Sequence, residues 1–501
     1  MVTGPTSDPY IIASAALATI AILAASKRST LDAIPTAGST TWIGSYFFAF
    51  KSLSGASGLV QEGYDKYKNT LFKIPTLYTW IVVVSGDKLL EEMRKVPEEH
   101  LSAVVGGEDL LKLRYTVGPK ITENSYHATI MRTLLNRKLA ALFPVVNDEI
   151  ALACDQAFLS VDHEWKSIVA IETIQKITLS GTTRIFVGLP LCRNSAWLKF
   201  CADYTTEGFK AGAKISLFPE FMWPLVAIFV TKTNNLTRQA MEYICPLIRE
   251  RREKWPRDTR TENQVDRPED FLQWLIDGGS ETSEWDITQR VMSLIFPGVD
   301  AISSSLLQAL YFLAAFPEYL KPLREEVESL VHEGGWTKWT MDNMYKLDSF
   351  MKESHRLGTN ITGLNMIRKV LKDFTFSDGR VVPKGYYIAS PPNAVHRDEE
   401  LYDAANTFDP FRFARLRGQG QGGIKQRMDS SSSQYLVFGM GKHACPGRFF
   451  ASIIQKAILA RIVVSYDVKL DSGATFESSK VNEAGWSIDP TKILLRKRAG
   501  D

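Results

Sequence analysis

A single cysteine in a glycine-rich loop is the residue of this sequence best suited to chemistry. Residues 438–447 read FGMGKHACPG, so Gly439, Gly441 and Gly447 surround Cys445, and the helix-like run RFFASIIQKAILARIVV follows at once. Backbone N–H groups and the helix dipole at such a position favour the thiolate. The glycines let the backbone approach a flat ligand closely. Taken alone, the loop also fits a tight turn around a buried thiol.

Two further motifs precede this loop. Glu353 and Arg356 are three residues apart in the run ESHR, so both side chains lie on one face of a helix, where they can pair. On its own, such a pair is usually a solvated surface pair. Residues 410–413 read PFRF and place Arg412 between that pair and the cysteine.

Together these motifs resemble those of the cytochromes P450. Residues 438–447 match the family's haem-binding pattern F-G-x-G-x-[R/H]-x-C-x-G at every fixed position. The ESHR run resembles the family's E-x-x-R and PFRF its P-x-R-F, in the family's order. The resemblance implies that Cys445 is the axial thiolate ligand of haem b iron. It also implies a buried, structural network of Glu353, Arg356 and Arg412.

The resemblance covers residues 34–495 and implies where the haem is held. Propionates need cations, and Arg132 and Arg368 stand where the family binds them, with His127 one to two turns before Arg132. Each arginine alone also fits an ordinary surface residue. The predicted metal ligand is Cys445, and the predicted cofactor-binding residues are Cys445, Phe438, His443, Arg132, Arg368, Gly439 and Gly447.

The family's distal helix carries [A/G]-G-x-[D/E]-T, and the aligned residues 296–305 read FPGVDAISSS. Gly298 leaves room for dioxygen and Asp300 keeps the acid, whereas Ala301 replaces the threonine that helps to deliver protons. Pro297 removes an N–H group in mid-helix and deepens the kink there. The departure leaves the haem assignment intact and concerns the reaction outcome. The predicted catalytic residues are Asp300, Gly298, Ser303 and Ala301.

Two interpretations of Ala301 stay open. Protons can travel by an altered route, through Ser303 or Ser304, ordered water or a substrate hydroxyl, or water can fill the gap and leave ordinary hydroxylation intact. A haem-thiolate isomerase, dehydratase or peroxide-dependent enzyme would not need the threonine. A silent haem-binding or lipid-binding membrane protein is disfavoured, because Gly298, Asp300 and the whole cysteine loop are present.

Composition excludes several other classes. The net charge is +3 and there is no basic stripe, so nucleic acid is not an expected partner. Five cysteines, odd in number and without CxxC pairs, argue against a disulfide framework and a structural zinc site. A reducing, cytosol-facing environment fits best, with the other four cysteines buried as small hydrophobic residues.

The N-terminus predicts a membrane anchor. Residues 9–26 carry no charge, would span roughly 27 Å as a helix, and are followed by Lys27 and Arg28. By the positive-inside rule, positive charge after the apolar run places the rest of the chain in the cytosol. The alternative is a cleaved signal peptide, which is disfavoured because a signal peptide carries its positive charge before the apolar run. We therefore expect a single-pass protein of the endoplasmic reticulum membrane, with anchor and linker at 1–33 and the haem domain at 34–501.

Periodicity predicts a mainly helical protein with a minor sheet component toward the C-terminus. The resemblance implies the cytochrome P450 fold, mainly α with small β-sheets, preceded by one N-terminal transmembrane helix. Residues 131–143 and 309–330 show helical spacing of apolar residues, with Pro317 where a helix can begin. Residues 374–385 predict two short strands around a Ser-Asp-Gly turn. Residues 418–433, rich in Gly, Gln and Ser, predict a surface loop.

The resemblance is to fungal secondary-metabolism P450s close to the ent-kaurene oxidase-like group, which implies a lipophilic, terpenoid or polycyclic substrate. Residues 215–230 are strongly apolar and would flank an access channel at the membrane lipid, or form a core helix pair. No flavin or nicotinamide fingerprint is present, so the implied electron donor is a membrane-bound NADPH–cytochrome P450 reductase. Its docking face is predicted from five basic residues: Arg137, Lys138, Lys352, Lys442 and Arg448.

Overall fold

The computed structural model describes residues 31–39, 49, 56–256, 266–279, 283–358, 363–420, 423–471 and 492–498. The chain divides into two compact units. Unit 1 contains Met1–Gly107 and Ile361–Val395, and unit 2 contains Glu108–Asn360 and His396–Asp501.

The described part of the chain is mainly helical. Its helices are α1 (Ser57–Lys66), α2 (Asp87–Lys95), α3 (Ala103–Leu111), α4 (Leu113–Thr116), α5 (Lys120–Glu123), α6 (Tyr126–Ile130), α7 (Asn136–Ala157), α8 (Ala170–Phe186), α9 (Ser195–Ser216), α10 (Trp223–Val230), α11 (Thr233–Lys254), α12 (Phe271–Gly278), α13 (Glu284–Ala315), α14 (Leu320–Gly334), α15 (Lys338–Asn343), α16 (Tyr345–Leu357), α17 (Pro392–His396), α18 (Arg412–Gly418) and α19 (Arg448–Ser465). A π-helical turn, Met131–Leu135, joins α6 to α7.

The strands are short. They are β1 (Leu71–Pro75), β2 (Trp80–Val84), β3 (Leu101–Ser102), β4 (Lys166–Val169), β5 (Asn365–Val370), β6 (Phe374–Thr375), β7 (Val381–Val382), β8 (Tyr387–Ser390), β9 (Tyr466–Leu470) and β10 (Lys492–Lys497). This composition confirms the predicted class of helices with small sheets.

Unit 1 is organised around a five-stranded sheet in the order β1-β2-β8-β5-β3. Its centre is buried because β2 is the β-branched run WIVVV, whose three valines are inaccessible to solvent. Strands β6 and β7 form the predicted hairpin, and Gly379 in its turn has φ +84°, a conformation that glycine adopts without strain.

Unit 2 is built around α13. The Ser283 hydroxyl caps its first turn by accepting from Asp286 N–H at 3.1 Å, and the acidic first turn suits the helix dipole. The helix ends at Ala315, with Phe316 as its C-cap, and Pro317 starts a 3₁₀ turn before α14. The helical spacing predicted across 309–330 is confirmed, with this break at the proline.

Among the described residues, α13 is the one helix long and apolar enough to cross a membrane. More than half of its most apolar window, 56%, is buried inside the protein, as expected for a core helix. Residues 9–26, the predicted anchor, lie outside the described residues, and the anchor stays a prediction.

A buried ion cluster ties α16 to the chain that follows α17. Arg356 donates from Nε to Glu353 Oε2 at 2.8 Å and from Nη2 to Oε1 at 2.7 Å, and Arg412 Nε donates to the same carboxylate at 3.2 Å. Arg356 Nη1 also donates to the Ala405 carbonyl at 2.6 Å and to that of His396. The network implied by the E-x-x-R and P-x-R-F motifs is therefore present.

Removing the charge of Glu353 tests how much this ion cluster contributes to the stability of the protein. We expect Glu353→Gln to lower the free energy of unfolding by about 3–5 kcal/mol, because it leaves two buried guanidinium groups without a carboxylate. Glu325→Gln, at an exposed position of α14, is the matched control and should change little. Chemical denaturation of the three proteins measures the difference; equal losses in both variants would contradict the role of the cluster.

Candidate active site

The cysteine loop is a compact turn held by its own backbone. Cys445 N–H donates to the Phe438 carbonyl at 2.9 Å, and Ala444 N–H donates to the Gly441 carbonyl at 3.1 Å. Gly439 and Gly441 have φ of +68° and +69°, which only glycine adopts readily. These two motif positions are therefore fixed by backbone geometry.

The loop delivers Cys445 to the start of α19. Backbone N–H groups of Gly447 and Arg448 donate to its sulfur, as the position before a helix predicts. Burial raises the pKa of the Cys445 thiol, and the two N–H groups and the Arg448 guanidinium oppose that effect. The residue is nevertheless accessible to solvent, unlike the four other cysteines, which are buried as predicted. The Cys445 sulfur is therefore the one cysteine sulfur within reach of a bound group.

Helix α13 has one side that is partly accessible in the middle of the helix. Within a largely buried stretch, one side of the helix is at least partly accessible and contains Pro297, Gly298, Ala301, Ser304 and Ser305 at helical spacing. A Cβ placed at Gly298 would meet no atom within 4 Å, so open space lies beside this turn. Gln455 of α19 donates to the Ile302 carbonyl at 3.2 Å and holds this part of α13 against the helix that follows Cys445.

The other distal residues differ in their surroundings. Asp300 is half-buried, and burial raises the pKa of its carboxyl group. Ser303 is only 1% exposed, and its buried hydroxyl has no hydrogen-bond partner among the described residues. The structure thus places Gly298 and Ala301 on the open side of α13 and Ser303 on the packed side.

The predicted cations are distributed over both units. Arg132 is exposed in the π-helical turn, and its neighbour Met131 packs 3.9 Å from a Cβ position at Gly447, which brings that turn beside the cysteine loop. His443 is half-buried in the loop itself. Arg368 belongs to unit 1 and is 1% exposed; its Nε and Nη1 have no hydrogen-bond partner among the described residues.

One buried pair escaped the sequence analysis. Arg290 of α13 donates from Nη1 to His127 Nδ1 at 3.0 Å, and its guanidinium lies 4.1 Å from the Tyr126 ring centroid. Since arginine only donates, His127 Nδ1 must accept and its proton sits on Nε2. Burial, and then the Arg290 charge, lower the pKa of His127 to about 4. An arginine inside the apolar run ITQRVMSLIF was the available signal.

One of the five basic residues predicted to dock the reductase is not on the surface. Arg137 and Lys442 are exposed, as such a face requires. Lys352 is buried, and its Nζ donates to the Lys425 carbonyl at 2.9 Å and to Ser430 Oγ at 3.1 Å. The prediction is therefore wrong for Lys352, because the ammonium group holds a surface loop and faces no partner.

Comparison with known proteins decides the family. A family model described as Cytochrome P450 matches residues 76–495. The chain is 39% identical over 472 residues to cytochrome P450 monooxygenase 71 of Postia placenta, covering 93% of each chain. The chain belongs to the cytochrome P450 family. It is also 34% identical to cytochrome P450 monooxygenase CYP512U6 of Ganoderma lucidum, covering 88% of this chain and 86% of that one.

A solved structure shows the same fold. The crystal structure of a cytochrome P450, CYP102L1, matches with a TM-score of 0.69 at 17% identity, covering 93% of this chain and 99% of that chain. The predicted P450 fold is thereby confirmed. With its fungal relatives named as monooxygenases, the chain is a P450 monooxygenase, and the family's cofactor is haem b.

The residues present fit haem b. Within unit 2, Cys445 offers an accessible sulfur and the positive-φ glycines keep the loop close and compact. Within unit 1, Nε and Nη1 of Arg368 have no partner among the described residues, which suits an anion such as a propionate. Arg132 and His443 supply further positive or hydrogen-bonding groups. When bound, haem supplies the activation of dioxygen for this P450, and the chain supplies the ligand, the anion-binding groups and the cavity.

Arg368 offers a test of this fit. We expect Arg368→Met to release haem to apomyoglobin on the order of tenfold faster, because charge-assisted hydrogen bonds to a propionate are worth about 1.5–3 kcal/mol. Arg324→Met is the matched control, since its guanidinium is satisfied by the Val463 and Tyr466 carbonyls at 2.8 and 3.0 Å. Unchanged haem release in Arg368→Met would rule out this role.

Proposed function

We propose that this P450 uses Cys445 as the axial ligand of its haem iron and oxidises a lipophilic, terpenoid or polycyclic secondary metabolite. Electrons come from an NADPH–cytochrome P450 reductase. The observation that carries the proposal is the Cys445 sulfur, which is accessible, contacted by two N–H groups and held at the start of α19. Thiolate ligation is the arrangement that favours O–O cleavage at haem iron.

Each remaining part of the site then has a defined task. The Gly447 and Arg448 N–H groups orient the Cys445 sulfur and stabilise its negative charge. Arg132 and His443 are the propionate-binding groups of unit 2, and Arg368 is the anion-binding group of unit 1. Gly298 and Ala301 leave space on the open side of α13, and Asp300, whose carboxyl pKa is raised by burial, holds a proton close to that space.

The substrate class rests on exposed apolar surface. In the segment around α10, large apolar side chains are exposed, with Phe229 80% and Ile228 74% accessible, together with Leu217, Phe218, Phe221 and Leu225. A contiguous stretch of this kind suits a membrane or lipid surface. It agrees with an anchored protein of the endoplasmic reticulum that receives its substrate from the lipid phase and keeps its haem domain in the cytosol.

The absorption difference spectrum of the dithionite-reduced protein with carbon monoxide tests the ligand. We expect a band near ~450 nm that is lost in Cys445→Ala, because a thiolate ligand produces it. Cys201→Ala, at a buried cysteine far along the chain, is the control and should keep the band. A haem-loaded wild-type protein with a band only near ~420 nm would show that no thiolate is bound.

The electron donor is tested by charge reversal. We expect Arg137→Glu and Lys442→Glu to slow reduction by the NADPH-driven reductase, with the largest effect at low salt, because docking of an acidic partner depends on exposed positive charge. Reduction by dithionite should stay unchanged in both variants. Stopped-flow absorbance under carbon monoxide measures both rates, and salt-independent reduction at the wild-type rate would argue against this docking face.

A further inference from the structure

Helix α13 buries an arginine that has no carboxylate partner. Arg290 is 3% exposed and forms no ion pair among the described residues, unlike the buried Arg251 and Arg356. The acid one turn earlier on the helix, Asp286, pairs with Lys120 at 3.2 Å. A buried charge without an opposite charge is costly, so the hydrogen bonds of this guanidinium must offset that cost.

The guanidinium is fixed by the chain that leads into α6. Arg290 Nη1 donates to the Asn124 carbonyl and, at 3.0 Å, to His127 Nδ1. The guanidinium carbon lies 4.1 Å from the centre of the Tyr126 ring, and the Tyr126 hydroxyl donates to the Leu275 carbonyl at 3.4 Å. Because the planar guanidinium is held by both the carbonyl and the ring, its hydrogen bond to His127 has a fixed direction.

This hydrogen bond decides which nitrogen of His127 carries the proton. Arginine has no acceptor, so Nδ1 accepts and the proton of the neutral imidazole is on Nε2. Burial and then the Arg290 charge keep the ring neutral, since they lower the pKa of His127 to about 4. For Nε2, no hydrogen bond occurs among the residues that the structure describes. The pair therefore presents one oriented N–H donor that the described part of the chain leaves unused.

The donor lies one helical turn from a contact with the cysteine loop. Met131 N–H donates to the His127 carbonyl, so the two side chains are neighbours at positions i and i+4. The Met131 sulfur lies 3.9 Å from a Cβ position at Gly447, two residues after Cys445. All of these residues belong to unit 2. An N–H donor at this place suits a carboxylate group of a haem that Cys445 ligates.

We propose that Arg290 is a positioning residue for haem: its hydrogen bond to Nδ1 orients the His127 ring and keeps Nε2–H available as a donor to a haem propionate. The inference rests on the proposed ligation of haem by Cys445. It assigns two residues to cofactor binding, one on α6 that donates to the carboxylate and one on α13 that acts through it. No proton is transferred, because a hydrogen bond from neutral imidazole to a carboxylate leaves both charges unchanged.

A double-mutant cycle tests whether Arg290 acts through His127. The wild type, Arg290→Met, His127→Phe and the double variant are compared in the rate of haem transfer to apomyoglobin. We expect transfer on the order of tenfold faster in His127→Phe, which loses the hydrogen bond, and about fivefold faster in Arg290→Met, which loses its orientation. The double variant should release haem no faster than His127→Phe. Replacement of a buried charge by an apolar side chain of similar volume is tolerated, so Arg290→Met should fold.

Two conservative variants test which nitrogen of His127 donates. The amide nitrogen of glutamine can take the place of Nε2, and that of asparagine can take the place of Nδ1. We expect His127→Gln to release haem close to the wild-type rate and His127→Asn to release it as fast as His127→Phe. A role in packing alone would not separate these two amides. The same comparison tests the inference if Arg290→Met does not bind haem.

Equal haem release from Arg290→Met and the wild type would overturn the inference. An effect of Arg290→Met that persists undiminished beside His127→Phe would also overturn it, since Arg290 would then act independently of His127. Equal rates in His127→Gln and His127→Asn would exclude Nε2 as the donor. A retained band near ~450 nm with carbon monoxide leaves the proposed function standing in each case, whereas its absence from the wild-type protein removes that function.

Discussion

The ion pairs of the buried Glu353 carboxylate are the interaction on which the position of the Cys445 loop depends. Through Arg356 the carboxylate holds the His396 carbonyl. The His396 ring in turn accepts the Leu436 N–H at Nε2, at 3.0 Å. Leu436 begins the turn in which Gly439 N–H and then Cys445 N–H are fixed. A continuous set of hydrogen bonds thus runs from one buried charge to the candidate iron ligand, so the position of the sulfur depends on an ion cluster well removed from it.

This dependence explains why the cluster is fully satisfied. A buried carboxylate next to two guanidinium groups is tolerable only when the remaining donors also find acceptors, and backbone carbonyls supply them here. The His396 ring must stay neutral at Nε2 to accept from Leu436, and burial, with the Arg356 charge, lowers its pKa to about 3. The charge of Arg356, the neutral state of the His396 ring and the geometry of the loop that begins at Leu436 therefore depend on one another.

Helix α13 serves packing and chemistry on different sides. Its packed side is mainly apolar, whereas its partly accessible side carries a proline, a glycine and an alanine that leave space beside the helix. Small residues on one side of a core helix cost packing contacts, and the cavity that they leave is what a large planar cofactor and a substrate require. The same division buries Ser303 and leaves Ser304 and Ser305 partly accessible.

The sequence by itself determined the family, the helical class and the cysteine loop. The loop could be predicted because it consists of consecutive residues, with glycines where φ is positive and a cysteine just before a helix. The E-x-x-R and P-x-R-F motifs likewise predicted a cluster that the structure contains. Only the tertiary structure decided what depends on neighbours distant in sequence. Lys352 is basic and looks solvated in the sequence, yet a loop some seventy residues later buries it. Arg290 meets His127 across 163 positions. Ser303 and Ser304 are equivalent in sequence and differ only because helical rotation packs one and exposes the other, which no local pattern of three serines encodes.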